Sequence, residues 1–351
     1  MIALKSNLQN MIINGGFDFW QRATSFTQSG GFSGYYCDRF DSARSFNSGS
    51  YNIDRSTDVP AGQDLTYSLK ATGSSVNLNW FAINQKMETN FSSKINDMNG
   101  NVTVSLWVKS SKTGSFSVFL RNSAETVLND AMYFKSLTID SANTWERKEF
   151  YIPATGLALT KGALTDASWI LGVTLKAADL GVEGWQRYDS SASGSVDFDF
   201  TGNDEFWMTG LMLHEGDVAQ DFQRAGRDVT EELRLCQRYF EKSYTLTKFA
   251  GDITDAASAR FVRTADDIGQ RVGTSLAGKF VTEKRAAPLV SFYNHRGNGA
   301  QNAFSRYNAD DNLAMTNNTG SSTKGIDGYF QAGVNLSDSI WGFHFYADAE
   351  L

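Results

Sequence analysis

Proline is scarce in this chain, with 3 in 351 residues. That is far below the roughly 5% of an average protein, so Gly, Ser, Asn and Thr must make most turns. Only two cysteines are present, Cys37 and Cys236, far apart in sequence. A zinc site or a disulfide framework needs more of them at closer spacing, so both read as packed free thiols. No stretch of about 18 apolar residues occurs, which excludes a membrane-spanning helix. The opening MIALKSNLQNMIINGGF has no continuous apolar segment of signal-peptide length, so no secretory signal is expected. The chain also lacks basic excess, at a net charge of −7. Nucleic acids and anionic lipid surfaces both need clustered Lys and Arg, so neither is an expected partner.

Histidine is equally rare. His214, His295 and His344 are the three present, and none belongs to an HExxH metal motif. A G-x-S-x-G nucleophile elbow and a phosphate-binding P-loop are also missing. Asn14-Gly15-Gly16 has no helical pattern after it, so it reads as a turn and not a phosphate cradle.

Aromatic residues are plentiful: 25 Phe, 13 Tyr and 8 Trp. Such enrichment favours strands. Period-2 alternation points the same way. In 101–110, NVTVSLWVKS, Val102, Val104, Leu106 and Val108 alternate with Thr103, Ser105, Trp107 and Lys109. Further strands are expected at 115–120, 144–152, 169–176, 195–200 and 205–213. Separated by turn signals, they predict an antiparallel β-sandwich. Residues 226–242 break the pattern. Asp228 is a candidate N-cap with Glu231 three residues on, and Leu233, Leu235, Cys236, Tyr239 and Phe240 recur at helical spacing, so a helix is expected over 229–240. Strands are expected again at 258–264, 289–293, 303–307, 329–334 and 340–347. At roughly 100–200 residues per domain, the length suits two or three domains.

Paired carboxylates are the first candidates for chemistry, because glycosidases need two facing acids. Asp197 and Asp199 share one strand face, with Asp204 and Glu205 nearby; Asp266–Asp267 and Asp310–Asp311 are adjacent pairs. On a strand, neighbours point to opposite faces, so solvated surface acids are the default reading. No cofactor is expected. A calcium ion held by sandwich-edge carboxylates and carbonyls is the one metal kept open. The aromatics argue more strongly. Flat rings match the C–H faces of sugars, and amides beside them bond the hydroxyls. Trp80 and Phe81 with Asn77, Asn79, Asn84 and Gln85 are such a mixture, as are Trp107, opposite the aliphatic stripe, and Trp185 with Tyr188. Trp80, Gln85, Trp107, Trp185 and Tyr188 are therefore the candidate glycan contacts. Core or rim packing is the competing role for each.

Several motifs carry a resemblance. Asn14–Arg22, NGGFDFWQR, followed by Tyr36-Cys37-Asp38-Arg39-Phe40, resembles the start of a module in tailed-bacteriophage virion proteins. Leu211–Arg224, LMLHEGDVAQDFQR, then Glu232–Tyr239, ELRLCQRY, and the ending ADAEL are similar to segments of the same proteins. Cys37 and Phe40 depart from the usual Ala and Trp. The order of the middle segments resembles the jelly-roll sandwich of carbohydrate-binding modules. Physically, Phe17, Phe19 and Trp20 would anchor the first strand, and Leu235, Cys236 and Tyr239 would pack the helix.

The resemblance implies a mainly β protein: an arm at 1–13, a jelly-roll sandwich at 14–225, a helical connector at 226–242 and a smaller β domain at 243–351. It implies a non-enzymatic surface protein of the virion, a tail-fibre or baseplate adhesin that binds host-surface glycan, with three copies around an axis. A structural virion component (head fibre, capsid decoration or tail adaptor) that binds other virion proteins is the alternative. The short stretch ahead of NGGFDFWQR favours that alternative. A glycan depolymerase is a third reading.

Overall fold

The computed structural model describes residues 10–29, 34–96, 101–122, 131–154, 165–177, 183–187, 204–263, 271–273, 279–296, 299–306, 313–314, 321–326, 329–331 and 340–351. The chain divides into two compact units, Met1–Glu232 with Leu351, and Leu233–Glu350.

The first unit contains strands β1 (Ser25–Ser29), β2 (Asp41–Ser56), β3 (Ser68–Glu88), β4 (Val102–Ser110), β5 (Gly114–Asn122), β6 (Ala131–Ile139), β7 (Glu146–Ile152), β8 (Ala167–Ala177), β9 (Gly184–Arg187) and β10 (Glu205–Glu215). Helix α1 (Thr89–Asn96) follows β3. Hydrogen bonding runs in the order β7–β4–β10–β3–β8–β5–β6–β9, with β2 on β3 and β1 on β2. All these pairs are antiparallel.

Strand β3 makes this a two-layered jelly roll. Its first residues, Leu69–Thr72, pair with β10, while Trp80–Glu88 pair with β8. It thus begins in one layer and ends in the other. The β2–β3 register shifts between Ser45 and Ser50, where the pair changes layer. The layers meet through apolar side chains, for example Phe116 of β5 edge-on to Phe206 of β10 at 5.5 Å. At the far side, Tyr133 of β6 stacks on Phe150 of β7 at 6.4 Å. The expected mainly β, antiparallel sandwich is the fold found. The alternation in β4 holds: Val102, Val104, Leu106 and Val108 are core. The expected strand at 195–200 lies outside the described residues.

Of the motif residues, Asn14, Phe17, Phe19, Trp20, Gln21, Tyr36, Cys37, Asp38, Arg39 and Phe40 are buried and hold the segment around Asn14 in place. The Asn14 side chain accepts from Phe19 N–H (3.0 Å) and donates to the carbonyls of Phe19 (2.9 Å) and Asp38 (3.0 Å). Asp38 accepts from the Gln21 amide at 2.7 Å. Phe17 packs on Phe40 at 4.7 Å between ring centroids. In the described part of the expected arm, Met11, Ile12 and Ile13 are buried. Asn10 accepts from Leu213 N–H (3.1 Å) and donates to Gln223 O (3.0 Å), which ties this segment both to β10 and to the loop that leaves it.

Glu232 closes the same region. Its carboxylate accepts from Asn14 N–H (2.5 Å) and Gly226 N–H (2.6 Å) while fully buried. Burial raises its pKa from 4.5 to about 7, against the opposing pull of those two backbone donors. The folded state therefore holds a proton that the unfolded chain has already lost. This contribution to stability is greatest below about pH 4.5, falls as pH rises to about 7, and is flat above it. Urea unfolding at pH 5 and pH 8 checks this. Glu232→Gln should flatten the slope in that window, and an unchanged slope would contradict the assignment.

Helix α2 spans Val229–Gln237, with Asp228 as its N-cap: Oδ1 accepts from Thr230 N–H (2.8 Å) and Glu231 N–H (2.9 Å). The expected helix over 229–240 is shorter because Phe240–Lys242 form strand β11, which pairs with the last strand.

The second unit contains β11, β12 (Arg260–Arg263), β13 (Arg271–Gly273), β14 (Leu289–Asn294), β15 (Ala303–Arg306), β16 (Leu313–Ala314), β17 (Tyr329–Gln331) and β18 (Ile340–Asp348). β18 is central, with β11, β12, β14 and β15 all paired to it. Its alternation supplies the core: Trp341, Phe343, Phe345 and Ala347 cluster with Phe292, Phe304 and Ile326. Cys37 and Cys236 are both buried and unbridged.

Candidate functional site

The second half of β3, with β8, β5, β6 and β9, forms one layer of the sandwich. Core residues fix its inner face: Ile83 on β3, Leu171 and Val173 on β8, Val118 and Leu120 on β5. The alternating neighbours face the other way. Across the strands they make two rows. One is Asn84–Gly172–Phe119–Phe134 and the other is Ala82–Thr174–Ser117–Ser136. Gly172 is required here. A Cβ at that position would lie 2.3 Å from the Phe119 ring and 2.4 Å from Asn84 Oδ1. Phe119 and Asn84 therefore meet over the bare Gly172 backbone.

This outward face is largely buried, and Ala82, Phe119 and Phe134 on it belong to the apolar core cluster. Thr174 and Ser117 are fully buried and Asn84 is 6% exposed. Asn84 Oδ1, Thr174 Oγ1 and Ser117 Oγ have no hydrogen-bond partner among the described residues. Thr174 and Ser117 are direct cross-strand partners. Such partners have Cβ atoms about 4.5–5.5 Å apart, and the diagonal position of Asn84 lies about 7–8 Å away. Each orphaned polar group costs about 1–3 kcal/mol relative to a satisfied one. Three on one small face, beside two phenyl rings, form a group of unmet polar sites in an apolar setting.

The structure separates the sequence-predicted residues. Trp80 is half-buried on β3, packs against the core cluster, and by alternation with the core residue Phe81 lies on the outward face, two positions from Ala82. Asn84, named with it, lies in the row itself. Gln85 is a correction. It is 1% exposed, and its amide accepts from Ile13 N–H (2.8 Å) and donates to Ile13 O (2.7 Å), so it fastens the N-terminal segment. Trp107 does face away from the aliphatic stripe, but it packs at the positive-φ Gly210 of β10, beside Leu65. On the same face Trp207 lies between Lys70 (5.1 Å) and Lys109 (4.7 Å), and Lys109 pairs with Asp58. That face is covered by the segment after β2. Trp185 donates to Pro153 O at 2.7 Å and meets Tyr133 and Trp169 edge-on, which closes the open side of the sandwich. Tyr188 lies outside the described residues.

The carboxylates do not assemble a catalytic pair among the described residues. Asp204 pairs with Lys112 and Glu205 with Lys70. Asp197, Asp199, Asp266, Asp267, Asp310 and Asp311 lie outside the described residues. No three His, Cys, Asp or Glu side chains gather for a metal among the described residues. The histidines are buried. His344 stacks on Tyr244 at 3.8 Å, and its Nδ1 meets Ser243 Oγ at 3.1 Å. Burial holds its pKa down at about 4. His295 bonds Ser305 Oγ at 2.8 Å. Ser117 and Thr174 were not singled out from sequence. Each is a polar residue between two aliphatic or aromatic ones, as on any half-exposed strand, and only their burial distinguishes them.

No protein-family model matches the chain, and no curated protein matches it. Among solved structures, the enzymatically active domain of bacteriophage CBA120 tailspike protein 4 is similar with a TM-score of 0.32 and 11% identity, over 59% of this chain and 21% of that one. The CBM22-1 xylan-binding domain of Paenibacillus barcinonensis Xyn10C aligns with a TM-score of 0.31 and 9% identity, over 60% of this chain and 97% of that one. A family 11 carbohydrate-binding module from Clostridium thermocellum, in complex with a mixed-linked tetrasaccharide, aligns with a TM-score of 0.29 and 9% identity, over 56% and 99%. The chain thus spans about a fifth of the tailspike structure and nearly all of each module. These likenesses assign no residue a role.

Proposed function

We propose that this chain is a non-enzymatic surface protein of a bacteriophage virion that binds host-surface glycan through the outward face of the β3–β8–β5–β6–β9 layer. The binding proposal is carried by that face, where the half-buried Trp80 borders oxygens of Asn84, Thr174 and Ser117 that have no partner among the described residues, beside Phe119 and Phe134. A sugar offers hydroxyls to satisfy such oxygens and C–H faces to cover the rings. Trp80 borders the same face and adds apolar surface. The virion setting is supported by the NGGFDFWQR, LMLHEGDVAQDFQR and ELRLCQRY motifs, which resemble those of tailed-phage proteins. Several copies, three around an axis, would turn weak single-site binding into firm attachment.

Purified full-length protein on immobilised host-surface polysaccharides tests this reading. Retention without release of reducing ends is expected. Release of reducing ends would replace it with a depolymerase, and retention only by proteins of the particle would replace it with a structural role.

A further inference from the structure

We infer that residues 244–255 of the second unit form an acid-released flap, latched over β18 by the neutral imidazole of His344. The segment follows β11 and contains no strand. Ser243, just before it, makes the last backbone bond to the sheet, from its N–H to Phe345 O at 3.1 Å. Beyond Ser243, the described bonds between segment and sheet run through side chains. Ala250 N–H donates to Tyr346 Oη at 2.6 Å, and Lys242 Nζ donates to the carbonyls of Leu246 (3.1 Å) and Lys248 (2.6 Å). Leu246 and Ile253 are exposed. A stretch without a ladder and with few buried apolar contacts opens locally, ahead of the unit that carries it. Tyr244 is its anchor. The ring is buried, lies nearly parallel to the His344 imidazole at 3.8 Å, and accepts at Oη from Gly251 N–H at 3.2 Å. Lifting the segment therefore lifts the ring from His344.

His344 is fully buried under that ring, and its Nδ1 meets Ser243 Oγ at 3.1 Å. Ser243 Oγ already accepts from Phe345 N–H at 2.9 Å, so its own proton is the one available for this contact, with Nδ1 as acceptor. The nearby carboxylates are engaged elsewhere. Asp255 Oδ2 accepts from Thr245 N–H (2.6 Å) and Ser258 Oγ (2.6 Å), and Asp252 pairs with Lys248 at 3.1 Å. A proton added to the closed ring would thus be a buried charge without a contacting counter-ion among the described residues. Burial depresses the His344 pKa to about 4; Asp255 and Asp252 pull the other way without overcoming it, and His295 adds to the depression. Burial pushes the hydroxyls of Tyr244 and of the cross-strand neighbour Tyr293 up, so both stay neutral in mild acid. Lys242 and Lys248 are the cations of this side and give an added proton no help. Once the flap lifts, the imidazole meets water and titrates near its ordinary 6.5. The closed state therefore keeps its full stability above about pH 6.5 and loses it as pH falls towards about 4.

Hydrogen exchange of the full-length protein at pH 8, 6 and 5, corrected for the intrinsic exchange rate, tests this in wild type, His344→Phe and His344→Asn. In wild type, protection of peptides covering 244–255 should fall about 4-fold from pH 8 to pH 6 and about 30-fold from pH 8 to pH 5. Those are the ratios that a pKa of about 4 closed and 6.5 open produce. Peptides of β14 and β18 should keep their protection. Phenylalanine leaves a ring under Tyr244, asparagine leaves an acceptor for Ser243, and neither takes a proton, so in both variants the pH dependence should disappear. Level wild-type protection between pH 8 and pH 5 would overturn the inference. So would an equal fall in wild type and in either variant, because the titrating group would then lie elsewhere. Equal loss across 244–255, β14 and β18 would overturn it as well, since the second unit would be opening as a whole.

Discussion

Lys284→Met is expected to destabilise the second unit by about 3–5 kcal/mol, the usual result of breaking a fully buried ion pair. Lys284 and Glu241 are 0% and 1% exposed and meet at 2.6 Å. The ammonium also donates to the carbonyls of Gln237 (2.6 Å) and Thr282 (2.7 Å). Glu241 in turn accepts from Val281 N–H at 2.8 Å. Methionine fills the volume but leaves a carboxylate and two carbonyls short of a donor. The paired variant Glu241→Leu with Lys284→Met removes both charges and should recover part of the loss. Urea midpoints of the two singles and the double measure this. A single variant within about 1 kcal/mol of wild type would mean that the pair is not held as described.

Gly15→Ala should cost about 2–4 kcal/mol in the first unit, through a steric clash with fixed backbone and the hydrogen bond it disturbs. A Cβ there would lie 2.0 Å from the Leu211 carbonyl oxygen. Leu211 N–H also donates to Gly15 O at 2.9 Å, so neither segment can step aside without losing that bond. The neighbouring Gly16 is the control. Its Cβ would meet only the side chains of Asp18 and Phe222, both at 3.2 Å, and side chains can rotate away. Gly16→Ala should therefore be much milder. Equal effects of the two substitutions would show that the approach to β10 is not the reason for the glycine. Of the paired glycines in NGGFDFWQR, the first is the one that geometry demands.

Strands with one aliphatic face were legible in the sequence. β4, β8, β10 and β18 show the pattern, and the core residues are the ones it marks. β2 and β3 were not legible. SARSFNSGS and SLKATGSSVN are rich in Ser, Asn and Gly and were not among the expected strands, yet they belong to the longest ones. Hydrogen bonding on both sides, not intrinsic preference, holds β3 extended, since it pairs with β2, β8 and β10. The candidate site shows the same limit. Trp107 was placed on the correct side of β4, but the segment that covers it comes from after β2, and periodicity within β4 carries no information about that. Gln85 was grouped with Trp80 by proximity in sequence. Strand alternation sends it inward to Ile13 instead. Asn84, one residue earlier, is the amide on the outward face. The pairing on that face of Thr174 against Ser117 joins residues far apart in the chain, so only the sheet order reveals it.

The proposed glycan position on the outward face of the β3–β8–β5–β6–β9 layer is open to direct measurement by hydrogen exchange of the full-length protein, with and without a saturating oligosaccharide that it retains. Added protection is expected in peptides covering 80–88, 115–121 and 170–176. Protection confined to β4, β7 and β10, or to the second unit, would contradict it.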